Sequence, residues 1–257
     1  MSASRCAVLV LLVGASRPAR AVAEPADLPA EPAAIAARAP ATDDAFTPAL
    51  KSAEGHGRAI ATAVTAWNGA AHDTTVDLDG EVQVFGPVRL VLRVDNVFDV
   101  ARPGMGAAVQ WLDERKHGVS SSAYFVYKAE GFTEAEGELE GLVAFGKQLG
   151  PVHGTLNLAY GQDPEGRERD GEVALALHLE PMPGLFTGVL GRYRDALGSS
   201  GDKGTGILRD ALGGVTAGYA LGNIGVVATA GIAGIETLTS GSMTSGAQVA
   251  LSVGAVF

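Results

Sequence analysis

The sequence predicts an all-β chain, a transmembrane antiparallel up-and-down β-barrel of about 12 strands (10–12). Three observations lead to this fold class. From Arg58 to Phe257, short segments alternate apolar with small or polar residues at a period of two, the pattern of strands with one apolar face. Clusters of Gly, Pro, Asp and Asn separate these segments. Tight connections alternate with longer polar ones, as expected when short turns lie at one end of a membrane barrel and long loops at the other.

The N-terminal part of the chain carries an export signal and a linker. Residues 1–23 are interpreted as a signal peptide, because the apolar run Cys6–Ala15 precedes the small-residue cleavage site Ala21–Ala23. Residues 24–45 are rich in Ala, Pro and acidic residues, and we expect them to form a flexible periplasmic segment. Residues 46–257 remain for the outer-membrane barrel.

Composition excludes several function classes. The chain has 257 residues, of which 47% are hydrophobic, and this apolar content excludes a wholly disordered protein. It has 19 Lys and Arg against 29 Asp and Glu, a net charge of −10, and this balance argues against nucleic acid as a partner. Removing residues 1–23 also removes the single cysteine, so a disulfide framework and cysteine chemistry are excluded from the mature chain.

The strands are assigned from the alternation. The last segment, Gly246–Phe257, is the clearest, because its odd positions are apolar and most of its even positions are small or polar. A count of 10 strands stays open, because residues 58–68 and 107–120 are weakly patterned. The other predicted strands are 58–68, 75–84, 88–97, 107–113, 121–129, 138–148, 153–161, 171–179, 185–194, 213–221 and 226–235.

Side-chain parity predicts opposite charges across the hairpin at residues 85–87. Residues that face each other across a ladder must point to the same side of the sheet. Keeping the apolar residues outward places Gln83 opposite Arg89 and Asp79 opposite Arg93. Glu81 then lies diagonally between the two arginines, and all five side chains point into the barrel.

The hairpin at residues 181–184 follows the same rule. Leu179 facing Leu185 would place Glu172 opposite Arg192 and Asp170 opposite Arg194 on the inner face. The charged residues predicted to line the lumen are Asp79, Glu81, Arg89, Arg93, Lys128, Glu172, His178, Arg192 and Arg194.

The chain resembles a Gram-negative outer-membrane β-barrel protein of the porin-like class. The features that carry the resemblance are the signal peptide, the alternating strands, the cysteine-free mature chain and a last strand that ends GAQVALSVGAVF. The resemblance implies export to the bacterial outer membrane and contact with its lipids. It also implies that Val253 and Phe257 belong to a C-terminal signal that the barrel assembly machinery reads.

Three functions stay open at this point, with the first favoured. A narrow porin-like channel would let small polar solutes or ions pass along the charged lumen. A closed structural or surface-interaction barrel would instead use its acidic outer loops. A lipid-modifying enzyme is the most distant alternative, carried by His153, Thr155 and Asn157 on one strand face. We expect no enzyme activity, no cofactor and no metal site, since the five histidines are scattered along the sequence.

Overall fold

The computed structural model describes residues 57–68, 71–132, 137–164, 169–197, 207–237 and 243–257, and the predicted signal peptide 1–23 and periplasmic segment 24–45 lie outside them. The described residues form one closed antiparallel β-barrel of 12 strands, as predicted. Each strand pairs with its neighbours in the chain, and β1 closes against β12. The strands are β1 Gly57–Asn68, β2 Ala71–Phe85, β3 Val88–Asp95, β4 Arg102–Leu112, β5 Ser120–Ala129, β6 Gly137–Leu149, β7 Val152–Gln162, β8 Arg169–Met182, β9 Leu185–Ala196, β10 Ile207–Leu221, β11 Ile224–Thr237 and β12 Met243–Val256.

Four tight turns close hairpins at the same end of the barrel. Their glycines are Gly86, Gly150, Gly184 and Gly222, with φ values of 52°, 63°, 79° and 58°. Side chains with a Cβ rarely adopt this left-handed conformation, so glycine permits these two-residue connections. We call this the short-turn end and the opposite side the long-loop end.

The fifth connection at the short-turn end is longer than the other four. It contains the short helix α1, Glu114–His117, whose N-terminus is capped by Asp113 accepting a hydrogen bond from the Arg115 amide at 2.9 Å. Glu114 also accepts a hydrogen bond from the backbone amide of Gln148 at 2.6 Å. The unusual length of this connection, visible in the sequence, therefore corresponds to a helical turn docked against the β6–β7 turn.

The two faces of each strand differ in the way a membrane barrel requires. On β8, Leu175 is 50% exposed and points outward, whereas Ala174 is 2% exposed and points inward. Outward-facing aromatic residues flank this apolar band near both ends, as Trp111 and Tyr193 illustrate. Among the described residues, none of the helices has the length and apolar character needed to cross a bilayer.

The barrel closes at its first and last strands. Gly57 and Phe257 exchange two backbone hydrogen bonds of 2.9 Å, and the hydroxyls of Thr62 and Ser252 meet at 2.8 Å on the inner face. The Phe257 ring lies over Gly57, where a Cβ would be 2.6 Å from the ring. Phe257 and Val253 both point outward at this seam.

The two hairpins used to predict the lumen differ in outcome. Between β2 and β3 the predicted pairs are present, including Asp79 opposite Arg93. Between β8 and β9 the predicted register is wrong by two residues, because Glu172 lies opposite Arg194 and Arg192 opposite Ala174. A shift of two keeps every side chain on its predicted face, so parity alone could not detect the error.

Candidate functional site: the charged inner face

The structure places all nine predicted lumen residues on the inner face, at register positions that share one side of the sheet. Eight of them join ion pairs with inward-facing partners, and His178 packs elsewhere. The pairs form three groups, named below after a central residue: the Arg58 cluster, the Arg93 cluster and the Asp210 cluster.

The Arg58 cluster lies toward the short-turn end and consists of Arg58, Glu81 and Arg89. One oxygen of Glu81 accepts a hydrogen bond from Arg58 Nη2, and its other oxygen lies 3.5 Å from Arg89 Nε. The Glu81 side chain is only 3% exposed, and both arginines are buried as well. Charges this deeply buried are tolerated only when they are paired, so the single carboxylate holds both guanidinium groups in place.

The Arg93 cluster spans the inside of the barrel from β2 to β6. Arg93 Nε donates to Asp79 Oδ1 at 3.0 Å, and Arg93 Nη1 lies 3.5 Å from Glu140 Oε1. Lys128 contacts Glu140 and lies 3.8 Å from Asp95 Oδ2. Arg93 and Glu140 stand on β3 and β6, so this ion pair bridges two intervening strands.

Glycines on β4 make room for that bridge. Gly104 lies between Arg93 and Lys128 in the register, and its inner side is open to the aliphatic part of Lys128. Gly106 follows on the same face, and a Cβ there would lie 2.0 Å from the Phe125 carbonyl oxygen. The long charged side chains therefore extend over a strand whose inner face is nearly bare.

The Asp210 cluster lies near the long-loop end on β8, β9 and β10. Asp210 accepts one hydrogen bond from Arg192 Nη2 at 3.1 Å and pairs with Arg194 Nε at 3.1 Å. Glu172 lies 3.8 Å from Arg192, and Asp170 lies 3.7 Å from Arg194. Arg194 is 35% exposed, so this cluster is far more open to water than the Arg58 cluster.

One further carboxylate, Glu138, lies beside Asp170 at the long-loop end. Glu138 and Asp170 both lie against Gly161, where a Cβ would be 2.0 Å from Glu138 Oε1 and 2.4 Å from Asp170 Oδ1. Glu138 is also the register partner of Lys128. The pair connects the Arg93 cluster with the Asp210 cluster around the rim.

Sequence reasoning missed four inner charges that these clusters require. Asp95 shares the parity of Arg93, and Glu140 shares that of Glu138, the register partner of the predicted Lys128, so extending the predicted faces would have found both. The signal was weaker at Arg58, in a poorly patterned segment, and at Asp210, which precedes the predicted start of its strand at residue 213.

His178 takes part in a different kind of packing. Its ring lies against Phe186, with centroids 5.9 Å apart and planes at 88°. A Cβ at Gly188 would lie 2.6 Å from the His178 ring, and one at Gly218 would lie 2.0 Å from the Phe186 ring. Both rings therefore pack closely against the inner-face glycines of β9 and β10, which leaves His178 outside the three clusters.

The three residues that carried the lipid-enzyme alternative lie on the inner face of one strand. His153, Thr155 and Asn157 are buried on the inner face of β7, away from the outer wall where acyl chains would lie. In the part of the chain that the structure describes, no three His, Cys, Asp or Glu side chains come together as ligands for a metal ion.

A cavity of about 20 Å³ separates the Arg58 and Arg93 clusters. Arg58, Asp79, Tyr124 and Glu140 are among the side chains that line it. A volume of this size accommodates about one water molecule. The inner face is therefore tightly packed at this level.

Comparison with known proteins identifies the fold. No protein-family model and no curated protein sequence matches the chain. Among solved structures, the NanC porin is similar with a TM-score of 0.53 at 8% identity, over 77% of this chain and 100% of that one. An outer-membrane channel from Pseudomonas putida F1 is similar with a TM-score of 0.51 at 11% identity, over 79% of this chain and 96% of that one. The chain therefore has the fold of the porin-like outer-membrane β-barrels.

Proposed function

We propose that this protein is a narrow outer-membrane channel for small polar solutes or ions, with the Arg58 and Arg93 clusters as its constriction. The observation that carries the proposal is the continuous line of inner charges from the long-loop end to the short-turn end. Asp95, Arg93, Asp79, Glu81 and Arg89 follow one another down β2 and β3. A barrel with an apolar outside has no structural need for such a line, whereas a polar solute can exchange its hydration shell for it.

The difference in solvent exposure between the clusters supports a lumen that narrows from the long-loop end toward the short-turn end. Arg194 at the long-loop end is 35% exposed, whereas Arg58 and Glu81 toward the short-turn end are buried. Solutes entering from the long-loop end would meet hydrated charges first and then a packed ion-pair network. A passage of this kind admits only small solutes.

The balance of inner charges favours cations over anions. The three clusters with Glu138 contain more carboxylates than basic groups, and a lumen with an acidic excess attracts cations. The carboxylates are Asp79, Glu81, Asp95, Glu138, Glu140, Asp170, Glu172 and Asp210, and the basic residues are Arg58, Arg89, Arg93, Lys128, Arg192 and Arg194.

Planar-bilayer recordings of the mature chain test the proposal. We expect discrete conductance steps with a reversal potential that indicates modest cation preference in a potassium chloride gradient. Glu140→Gln should shift this potential toward anions, because it leaves Arg93 and Lys128 with one carboxylate fewer. Asp195→Asn is the matched control, since Asp195 points outward at the long-loop end and should leave the potential unchanged. If the protein conducts but Glu140→Gln leaves its reversal potential unchanged, the result would contradict the proposed role of the Arg93 cluster in selectivity.

A closed barrel that acts through its outer loops is the second candidate, favoured by the burial of the Arg58 cluster and the small cavity above it. Protein that inserts stably but never conducts would support this alternative. Glu81→Gln would then separate two kinds of closure. If the Arg58 cluster is the plug, this substitution should open measurable conductance, whereas a barrel closed along its whole length should stay silent.

A further inference from the structure

A polar cavity of about 280 Å³ lies at the short-turn end, between the β2–β3 turn, the end of β4 and α1. Its volume is just below the range of about 300–1,000 Å³ that is typical of ligand pockets. We propose that this cavity binds the carboxylate or phosphate group of a small, water-soluble organic anion. The polar side chains that line it are Gln83, Arg89, Gln110, Asp113, Lys116 and His117.

Arg89 is the most buried basic residue of the cavity. It points inward from β3, opposite Gln83, and is 4% exposed. Glu81 Oε2 lies 3.5 Å from Arg89 Nε, but the same carboxylate also accepts a hydrogen bond from Arg58. The Arg58 cluster therefore contains two guanidinium groups for one carboxylate. An anion in the cavity would add negative charge beside this cluster, and guanidinium groups bind carboxylate and phosphate oxygens through charge-assisted hydrogen bonds.

The connection between β4 and β5 brings two more basic residues to the cavity. Lys116 and His117 lie on α1, and both side chains are exposed. They line the same cavity as Arg89 and the inner-face residue Gln110. His117 Nδ1 lies 3.1 Å from the Asp113 carbonyl oxygen, and this contact orients the ring within the helical turn. An anion in the cavity would therefore meet basic groups from β3 and from α1.

The other polar residues of the cavity are held by hydrogen bonds. Asp113 is its acidic residue, and Asp113 Oδ1 caps α1 by accepting the Arg115 amide at 2.9 Å. Gln83 Nε2 donates to the Gly86 carbonyl oxygen at 2.5 Å, and Gln110 Nε2 donates to that of Leu112 at 3.2 Å. Each side-chain amide also has a second N–H and an oxygen. These groups suit the further polar groups of an organic anion.

The position of the cavity favours a water-soluble anion over a lipid headgroup. Gln83, Arg89 and Gln110 point inward by their register, away from the outer wall, which faces the lipids in this fold. The inner acidic excess lies in the other two clusters and Glu138, so an anion site at this end is compatible with cation preference. The inference does not depend on conduction and holds for a closed barrel as well.

Equilibrium dialysis of the mature protein in dodecyl maltoside at constant ionic strength tests the inference. Radiolabelled inorganic phosphate and radiolabelled acetate are the probes for the two anionic groups. We expect at least one of them to bind saturably at one site per chain. Lys116→Gln should weaken this binding about threefold, because it removes one partly hydrated ion pair. Lys147→Gln is the matched control, since it removes the same charge from the short-turn end of β6 on the outer face and should leave the affinity unchanged.

Two further variants test the contribution of each side of the cavity. Arg89→Gln should weaken binding about tenfold or more, because hydrogen bonds to charged groups at buried sites are stronger than exposed ion pairs. The double variant of Lys116→Gln and His117→Gln should weaken binding more than Lys116→Gln alone. It replaces Arg89→Gln if that variant fails to show the heat-sensitive electrophoretic mobility of a folded barrel, because both α1 side chains are exposed.

Three results would overturn the inference. The first is a wild-type protein that binds neither probe saturably. The second is an affinity that the cavity variants leave unchanged or that Lys147→Gln weakens as much as Lys116→Gln does. The third is displacement of the bound probe by dipalmitoyl phosphatidylglycerol, which would make a lipid headgroup the ligand in place of a water-soluble anion.

Discussion

Two regions of the inner wall both have inward-facing glycines, but different side chains occupy the space that these glycines leave. On β4, Gly104 lies between Arg93 and Lys128 of the Arg93 cluster, and Gly106 follows on the same inner face. On β10, Gly218 lies beneath the ring of Phe186, and Gly214 faces Gly231 on β11. Glycine makes space in both regions, and the neighbouring strand decides what fills it. Ion pairs give a polar interior, whereas a ring against the wall gives a sealed one.

Different groups therefore stabilise the two regions. In the charged region, stability depends on carboxylates that hold buried arginines. In the ring-lined region, apolar and hydroxyl contacts suffice, such as Thr229 Oγ1 donating to Thr216 Oγ1 at 3.3 Å. Removing a charge should therefore matter most on β1–β3 and much less near the long-loop end.

The largest effect is expected for Glu81→Ala. This change leaves Arg58 and Arg89 buried without their shared carboxylate, and breaking a buried ion pair costs about 3–5 kcal/mol. Urea unfolding of the protein in lipid vesicles, followed by tryptophan fluorescence, gives the change in free energy. Glu172→Ala should cost about 1 kcal/mol, because Arg192 is partly exposed and keeps Asp210.

A matched surface substitution controls for the loss of an acid itself. Glu130→Ala removes a carboxylate from an exposed position beyond β5 and should leave the unfolding midpoint unchanged. Equal losses for Glu81→Ala and Glu172→Ala would contradict the expectation that the buried ion pairs contribute more to stability than the partly exposed ones.

The second-largest effect is expected for alanine substitutions at the inner-face glycines of the two regions. Gly106→Ala places a Cβ 2.0 Å from the Phe125 carbonyl oxygen, and the backbone itself must move. Overpacking of this kind costs about 1–3 kcal/mol. Gly218→Ala meets only the Phe186 ring, which can rotate away, so we expect a smaller loss. Gly213→Ala, in open space, is the control. The same unfolding assay would refute this account if Gly218→Ala were the more damaging of the two.

A charge exchange at residues 172 and 192 is expected to have a smaller effect. Arg192→Glu alone brings a third carboxylate toward Asp210 and Glu172 and should destabilise the barrel more than Glu172→Arg alone. The double variant should recover about 0.2–1 kcal/mol of coupling, since the pair is separated by 3.8 Å and reached by water. A double-mutant cycle in vesicles measures this coupling. If both single variants and the exchange are equally harmless, the two residues do not interact.

Much of this architecture was predictable, because alternation and parity determine which face each side chain occupies. The β2–β3 pairing came out correctly because the connection assumed at residues 85–87 gives the register that the structure has, with Asp79 opposite Arg93. The β8–β9 register could not be decided the same way, since shifting Leu179 from Leu185 to Thr187 keeps all faces unchanged. What decides it is the tight turn at Gly184, together with an irregularity between Leu179 and Met182.

The candidate site was predictable only in part, because it depends on distances between strands that are remote in sequence. The ion pair between Arg93 and Glu140 joins strands that are not hydrogen-bonded neighbours, and no local pattern encodes it. His178 shows the converse. Its parity places it inward beside the charges, but the neighbouring Gly188 lets its ring fold against the wall and meet Phe186.

The smallest effect on stability is expected at the closing seam, with Phe257→Leu. The Phe257 ring is 60% exposed and covers Gly57, so losing its flat surface should cost less than about 1 kcal/mol in vesicles. Its insertion into membranes of living cells should fall by a larger factor if Phe257 is also part of the assembly signal. Leu221→Ala, at an exposed turn position, is the control and should insert normally. Equal decreases in vesicle stability and cellular insertion would instead make Phe257 a purely structural contact of the seam.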